Sequence, residues 1–190
     1  LKIRGQFHAD MDTNQQIGVP LPVEWVTVDD PDHEDDSDNR RDRWPGFIPT
    51  RIQAQDKGAA YFDRLEGAWA AGSGPKARIY FDCTVGGPAK LGQIWEYHPR
   101  KETLTLVYQS VNPETLRHPD NMTVVPGTKD IFICEDAGGI QFIRGLTAKG
   151  EIYDFARTGT NFSEFCGACF DPAGHTLYVN QQGGRGSLPE

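Results

Sequence analysis

The sequence predicts an all-β chain, part of a β-propeller of four-stranded antiparallel blades, with about two and a half blades present. Three observations predict it. A weak repeat recurs as Arg64-Leu65-Glu66-Gly67-Ala68-Trp69, His118-Pro119-Asp120-Asn121-Met122-Thr123 and Ser163-Glu164-Phe165-Cys166-Gly167-Ala168, with Gly67, Asn121 and Gly167 standing 54 and 46 residues apart. A period of about 50 suits a unit of four short strands. Short apolar runs alternate with Gly- and Pro-rich turns, and the 21 glycines and 11% aromatic content fit many strands and tight corners. Helical signals are nearly absent.

The chain reads as one domain over residues 1–190, with an irregular segment at 1–58 and blades from 59. In the irregular segment one strand is expected at 22–28. The acidic run that follows, from Asp29 to Asp38, has neither the Gly nor the closing Glu of an EF-hand loop. With Arg40, Arg41 and Arg43 beside it, the run reads as solvated charge. The first blade is expected to place strands at 67–71, 78–84, 92–97 and 103–108, punctuated by Gly72-Ser73-Gly74-Pro75, Gly86-Gly87-Pro88 and His98-Pro99. The second places them at 122–125, 130–134, 141–146 and 151–156, and a third begins at 168–170 and 176–179. Fewer than four blades cannot close a ring, so the sequence is expected to belong to a longer protein.

The net charge of −8 repels nucleic acid and anionic surfaces, so a nucleic-acid partner is not expected. No apolar run is long enough for a membrane span, and no signal peptide is visible. Cys83 and Cys134 fall in apolar strands, where a free thiol packs as a small apolar side chain. Cys166 and Cys169 have zinc-ligand spacing without a second Cys or His pair nearby in sequence. All four read as core thiols. No nucleophile elbow, Walker loop or metalloprotease helix occurs. His33, His98 and His175 lie in turns or charged runs, where solvated imidazoles are expected.

In a propeller, the first strand of each blade lines a central channel, so residues at its start converge. Glu66, Asp120 with Asn121, and Glu164 take that place, and Glu135 follows one strand later. Converging carboxylates repel one another unless a cation lies between them. Oxygen-only donors suit a hard cation such as Ca²⁺. Turn carboxylates that cap backbone N–H groups are the competing reading. Arg64, on the same strand face as Glu66, and Arg144 each have the geometry to clamp a phosphate or to pair with a neighbouring acid.

These motifs, with Phe62-Asp63 before the first, Ile133-Cys134-Glu135-Asp136, Ile143-Arg144-Gly145-Leu146-Thr147 and Gly174-His175-Thr176-Leu177-Tyr178, resemble those of the PhoX-type alkaline phosphatases. The resemblance implies a six-bladed propeller phosphatase, exported to the periplasm or secreted, monomeric, and acting on a small-molecule phosphoester. It implies a channel cluster of Ca²⁺ and Fe³⁺ held by Glu66, Glu135 and Glu164, with Asp120 and Asn121 beside them and Arg144 as the phosphate contact. An iron-binding cysteine of the family has no matching position among the four here. Two other functions fit a propeller with channel acids: a calcium-dependent lactonase-like hydrolase, and a non-enzymatic scaffold stabilised by calcium.

Overall fold

The computed structural model describes residues 1–31, 49–159 and 161–182. Two strands come first, β1 (Lys2–Ile3) and β2 (Pro20–Glu24), followed by a short helix, α1 (Thr50–Asp56). Four strands then run consecutively: β3 (Leu65–Ala71), β4 (Arg78–Cys83), β5 (Gln93–His98) and β6 (Thr103–Gln109). Four more follow: β7 (Pro119–Val124), β8 (Ile131–Glu135), β9 (Phe142–Leu146) and β10 (Ile152–Arg157). A last pair, β11 (Phe165–Phe170) and β12 (Leu177–Gln181), completes the described chain. Each run pairs antiparallel with its sequence neighbour, giving sheets β1-β2-β6-β5-β4-β3, β10-β9-β8-β7 and β11-β12. The all-β expectation holds, and none of these sheets closes on itself among the described residues.

Side-chain alternation explains how the sheets stack. In β6 the buried residues are Leu104 and Leu106, every second position, because successive side chains point to opposite faces. β8 is buried along its whole length, since another sheet covers each of its faces. Ile131 and Ile133 join Tyr80, Ile94, Met122 and Leu146 in a core between the first and second sheets. Phe132 and Cys134 face the other way and pack with Ile143 and Ala168 against the third sheet. A further cluster, with Trp95, Leu104 and Val23 at its centre, fills the space between the first sheet and the N-terminal segment. Fully burying one such large apolar side chain contributes about 1.5–3 kcal/mol, so these layers dominate the stability.

The first strands of the three runs lie side by side. β3 packs against β7, and β7 against β11. Each carries a register irregularity near its start, between Leu65 and Ala68, Pro119 and Asn121, and Cys166 and Cys169. A bulge of this kind re-aims the side chains it displaces. The backbones of β3 and β7 approach closely there. A Cβ on Gly67 would stand 2.8 Å from the Asp120 carbonyl oxygen, so only glycine fits at this crossing.

The N-terminal segment departs from the expected irregular coil. β2 pairs with β6, and β1 with β2, so the segment extends the first sheet outward from its fourth strand. The strand ends at Glu24, earlier than the expected span of 22–28. The helix α1 was not expected. Its punctuation is nonetheless present in the sequence: Pro49 at its entry and Gly58, at φ +86, just past its end. Most of the acidic run lies outside the described residues, as does His33. Asp29, at its start, pairs with Lys57 at 2.7 Å. His98 is buried rather than solvated, in the corner between β5 and β6. Cys83 and Cys134 are buried free thiols, and Cys166 and Cys169 are free and half-buried.

Candidate functional site

Acids gather where the three first strands start: Glu66 and Asp120 in the bulges of β3 and β7, and Glu164 just before β11. Backbone hydrogen bonds define equivalent positions: the carbonyls of Arg64, His118 and Glu164 accept from the amides of Thr84, Asp136 and Gln182, each just past the second strand of its run. Two residues further on come Glu66, Asp120 and Cys166. Glu66 and Asp120 are therefore true equivalents, whereas Glu164 occupies the place of Arg64 and His118. The third copy of the acid position holds the half-buried thiol of Cys166.

Glu66, Asp120, Asp136 and Glu164 form one electrostatic group. Burial raises the Asp120 carboxyl above its ordinary value, and the charges of Glu66 and Asp136 raise it further. Glu164 is pushed up to about 7, by burial and then by Asp136 and Asp120. The Asp120 and Glu164 carboxyls are near enough to act directly on each other, Glu164 drawing Asp120 down and Asp120 raising Glu164. The side-chain amide of Gln182 donates to Glu164 Oε2 at 2.9 Å. Arg64, about half exposed, pairs with Glu66 at 3.3 Å, and its charge draws the Asp120 carboxyl down. Arg64 also holds a positive φ of 53°, a costly conformation for a residue with a Cβ.

Asp82, on β4, sits behind this group and was missed by the sequence reading. It is fully buried, its Oδ1 accepts from the Gly67 amide at 3.0 Å, and its Oδ2 has no hydrogen-bond partner. Burial, followed by the charges of Asp120 and Glu66, pushes its carboxyl up to about 8. The signal was present: an acid inside the apolar strand Ile79-Tyr80-Phe81-Asp82-Cys83 rarely lies there without a purpose.

The other residues singled out from the sequence have different surroundings. Glu135 is fully buried, and its Oε1 accepts from Arg144 Nε at 2.9 Å and from the Arg117 amide at 3.1 Å. Burial raises its carboxyl while Arg144 and Arg117 pull it back down. Arg144 is buried between Glu135 and Asp154, with its guanidinium stacked 3.7 Å over the Phe142 ring. Two carboxylates take its Nε and Nη1 donors, and an aromatic ring covers its face. Asn121 Oδ1 accepts from the Ala168 amide at 3.1 Å, which ties β7 to β11.

Among the described residues, no three His, Cys, Asp or Glu side chains are arranged closely enough to hold a metal ion as they stand. The donor chemistry nevertheless fits a hard cation, because Glu66, Asp120, Asp136 and Glu164 offer oxygen alone and repel one another, with Arg64 the cation that draws Asp120 down among the described residues.

The family model described as alkaline phosphatase PhoX matches residues 5–184. The chain belongs to the PhoX alkaline phosphatase family. The match spans all three strand runs, so the bulged strands β3, β7 and β11 all lie within the PhoX region. No curated protein and no solved structure is significantly similar to the chain. PhoX membership supports a phosphatase, hence hydrolase, function and a small-molecule substrate. Among the described residues, no helix is long and apolar enough to cross a membrane.

Proposed function

We propose that the chain is a phosphoric monoester hydrolase whose acids at the β3–β7–β11 junction hold a calcium-containing cation site. The observation that carries this reading is the convergence of Glu66, Asp120, Asp136 and Glu164, with Asp120 lifted by burial and by the charges of Glu66 and Asp136, and Glu164 by burial and by Asp136 and Asp120. Like charges collected at this density need either protons or a cation.

In this reading Glu66, Asp120, Asp136 and Glu164 hold the cation, and Asn121 braces β7 against β11. When bound, the cation supplies charge neutralisation and Lewis-acid polarisation for a phosphate group. Arg64 is the accessible guanidinium of the site and binds phosphate oxygens, a task its bidentate fork suits. Arg144, the phosphate contact implied by the resemblance, is a weaker choice because it is buried against Glu135 and Asp154. Asp120 and Glu164, whose carboxyls are both raised, would hold the cation in their ionised form. Iron beside calcium is part of the proposal.

The three runs are read as consecutive propeller blades, because their first strands are adjacent and bulged at the same place. Periplasmic or secreted placement and a monomeric state complete the proposal. It is tested by p-nitrophenyl phosphate hydrolysis at alkaline pH, in the longest natural form that contains this chain. Hydrolysis restored by calcium after chelation, and abolished in Arg64→Met and Glu66→Gln, is the expected result. Calcium uptake without turnover favours the scaffold, and turnover of a lactone in place of the phosphoester favours the lactonase.

A further inference from the structure

We infer that Asp82 and Glu135 are positioning residues for the two equivalent acids of the site, Asp82 for Glu66 and Glu135 for Asp120. The inference rests on the cation-site reading of Glu66 and Asp120, and it assigns to these two buried carboxylates a task other than holding the cation.

Asp82 acts on the β3 bulge. Glu66 and Gly67 are the two residues that stand opposite Asp82 there, since Leu65 pairs with Cys83 and Ala68 with Phe81. A bulge leaves an amide without its ladder partner, and Asp82 Oδ1 supplies the acceptor for Gly67 at 3.0 Å. The acceptor is rigid, because Asp82 is fully buried on a strand paired on both sides. It fixes the peptide that follows Glu66, and hence the direction in which the Glu66 side chain leaves the sheet. Asp82 Oδ2 is turned toward the crossing with β7, where a Cβ on Gly67 would meet it at 2.6 Å.

Glu135 acts on the turn before Asp120. His118 holds φ +49 and precedes a proline, a combination that is locally unfavourable for a residue with a Cβ. Three hydrogen bonds hold the turn in place: the Arg117 amide to Glu135 Oε1 at 3.1 Å, the His118 amide to the Leu91 carbonyl at 2.9 Å, and the Asp136 amide to the His118 carbonyl at 2.8 Å. Arg144, itself held by Asp154 and Phe142, fixes Glu135 in turn. The chain Asp154, Arg144, Glu135, Arg117 thus ends three residues before Asp120. Outer partners of this kind set the orientation of the side chains that do the binding, and losing one weakens metal affinity by about 10–100-fold.

Calcium titration by calorimetry at alkaline pH tests the inference, with Glu66→Gln as the control for a ligand. The isosteric amides Asp82→Asn and Glu135→Gln keep the acceptor oxygen, so calcium affinity stays within about threefold of the unsubstituted protein. Asp82→Leu and Glu135→Met keep the volume and lose the acceptor, so affinity falls about 10–100-fold. Exchange of the Gly67 and Arg117 amide hydrogens speeds up in the second pair and not in the first. The inference is overturned if the amides weaken calcium as far as Glu66→Gln does, which makes the pair ligands. It is equally overturned if the apolar variants leave affinity and amide exchange unchanged. Should the apolar variants not fold, the comparison of the amides with Glu66→Gln decides alone. Absence of calcium uptake in the unsubstituted protein removes the cation-site reading, and the two amide hydrogens then report on positioning independently.

Discussion

The run β3–β6 and the run β7–β10 have the same strand order, the same bulge in the first strand and an equivalent acid on it, yet they accommodate a buried carboxylate in opposite ways. Each of the two leaves one carboxylate oxygen without a hydrogen-bond partner, Asp82 Oδ2 and Glu135 Oε2. In the first, no cation among the described residues pairs with Asp82, and burial pushes its carboxyl up to about 8, which favours the neutral acid near neutrality. In the second, Glu135 is locked to Arg144 and the Arg117 amide. A repeated frame can thus satisfy the same demand with a proton or with a guanidinium, at different cost and with different sensitivity to pH. The outer edges differ too: β2 covers β6, while β10 has no further strand among the described residues and exposes Tyr153 and Phe155.

The largest expected effect breaks the ion-paired half. Arg144→Met leaves Glu135 buried without its charge partner and is predicted to cost about 3–5 kcal/mol in thermal or denaturant unfolding. Asp82→Asn, the matching change in the other run, is predicted to cost no stability near neutral pH, since the Gly67 amide keeps an acceptor and the cost of protonating a buried acid on folding is removed. Equal losses in the two variants would erase the distinction between the runs.

A smaller effect separates two glycines. Gly67→Ala forces a Cβ against the Asp120 and Asn121 backbone and is predicted to cost about 1–3 kcal/mol while weakening calcium binding. At Gly145 the added Cβ would meet only the Tyr153 ring, a partly exposed side chain that can turn away. Gly145→Ala should therefore cost less, and calcium titration should not register it.

The smallest effect is a pH slope. Asp82 moves from an ordinary 3.8 to about 8 on folding, and Glu164 from 4.5 to about 7. A raised carboxyl means that the folded state holds the proton more tightly, so its contribution is complete below the unfolded value and lost as pH rises through the folded one. The calcium-free protein should lose stability between about pH 4 and pH 8 on account of these two groups, and Asp82→Asn should flatten that slope. A melting temperature indifferent to pH across this window would contradict the assignment of Asp82 as a neutral acid.

Strand runs were legible because glycines and prolines punctuate them: the turns at Gly72–Pro75, Pro126-Gly127 and Lys149-Gly150 set the strand ends to within a few residues. First strands begin earlier than the pattern suggests, because the bulges at Glu66 and Asp120 interrupt the alternation that marks a strand. The equivalence of Glu66 and Asp120 was visible in the repeat. Which acid had a cation beside it was not, since Glu135 meets Arg144 from the next strand and Asp82 meets none. Such pairings depend on register across strands, and spacing along the chain carries no record of it. The helix α1 escaped notice because seven residues without a side-chain cap give no periodic pattern to read.

Metal content, measured by inductively coupled plasma mass spectrometry on protein purified at alkaline pH, tests the cation site most directly. The account predicts bound calcium in the unsubstituted protein and a clear loss in the double variant Glu66→Gln with Glu164→Gln, which still folds. No bound metal in the unsubstituted protein, or the same calcium content in the folded double variant, would contradict it.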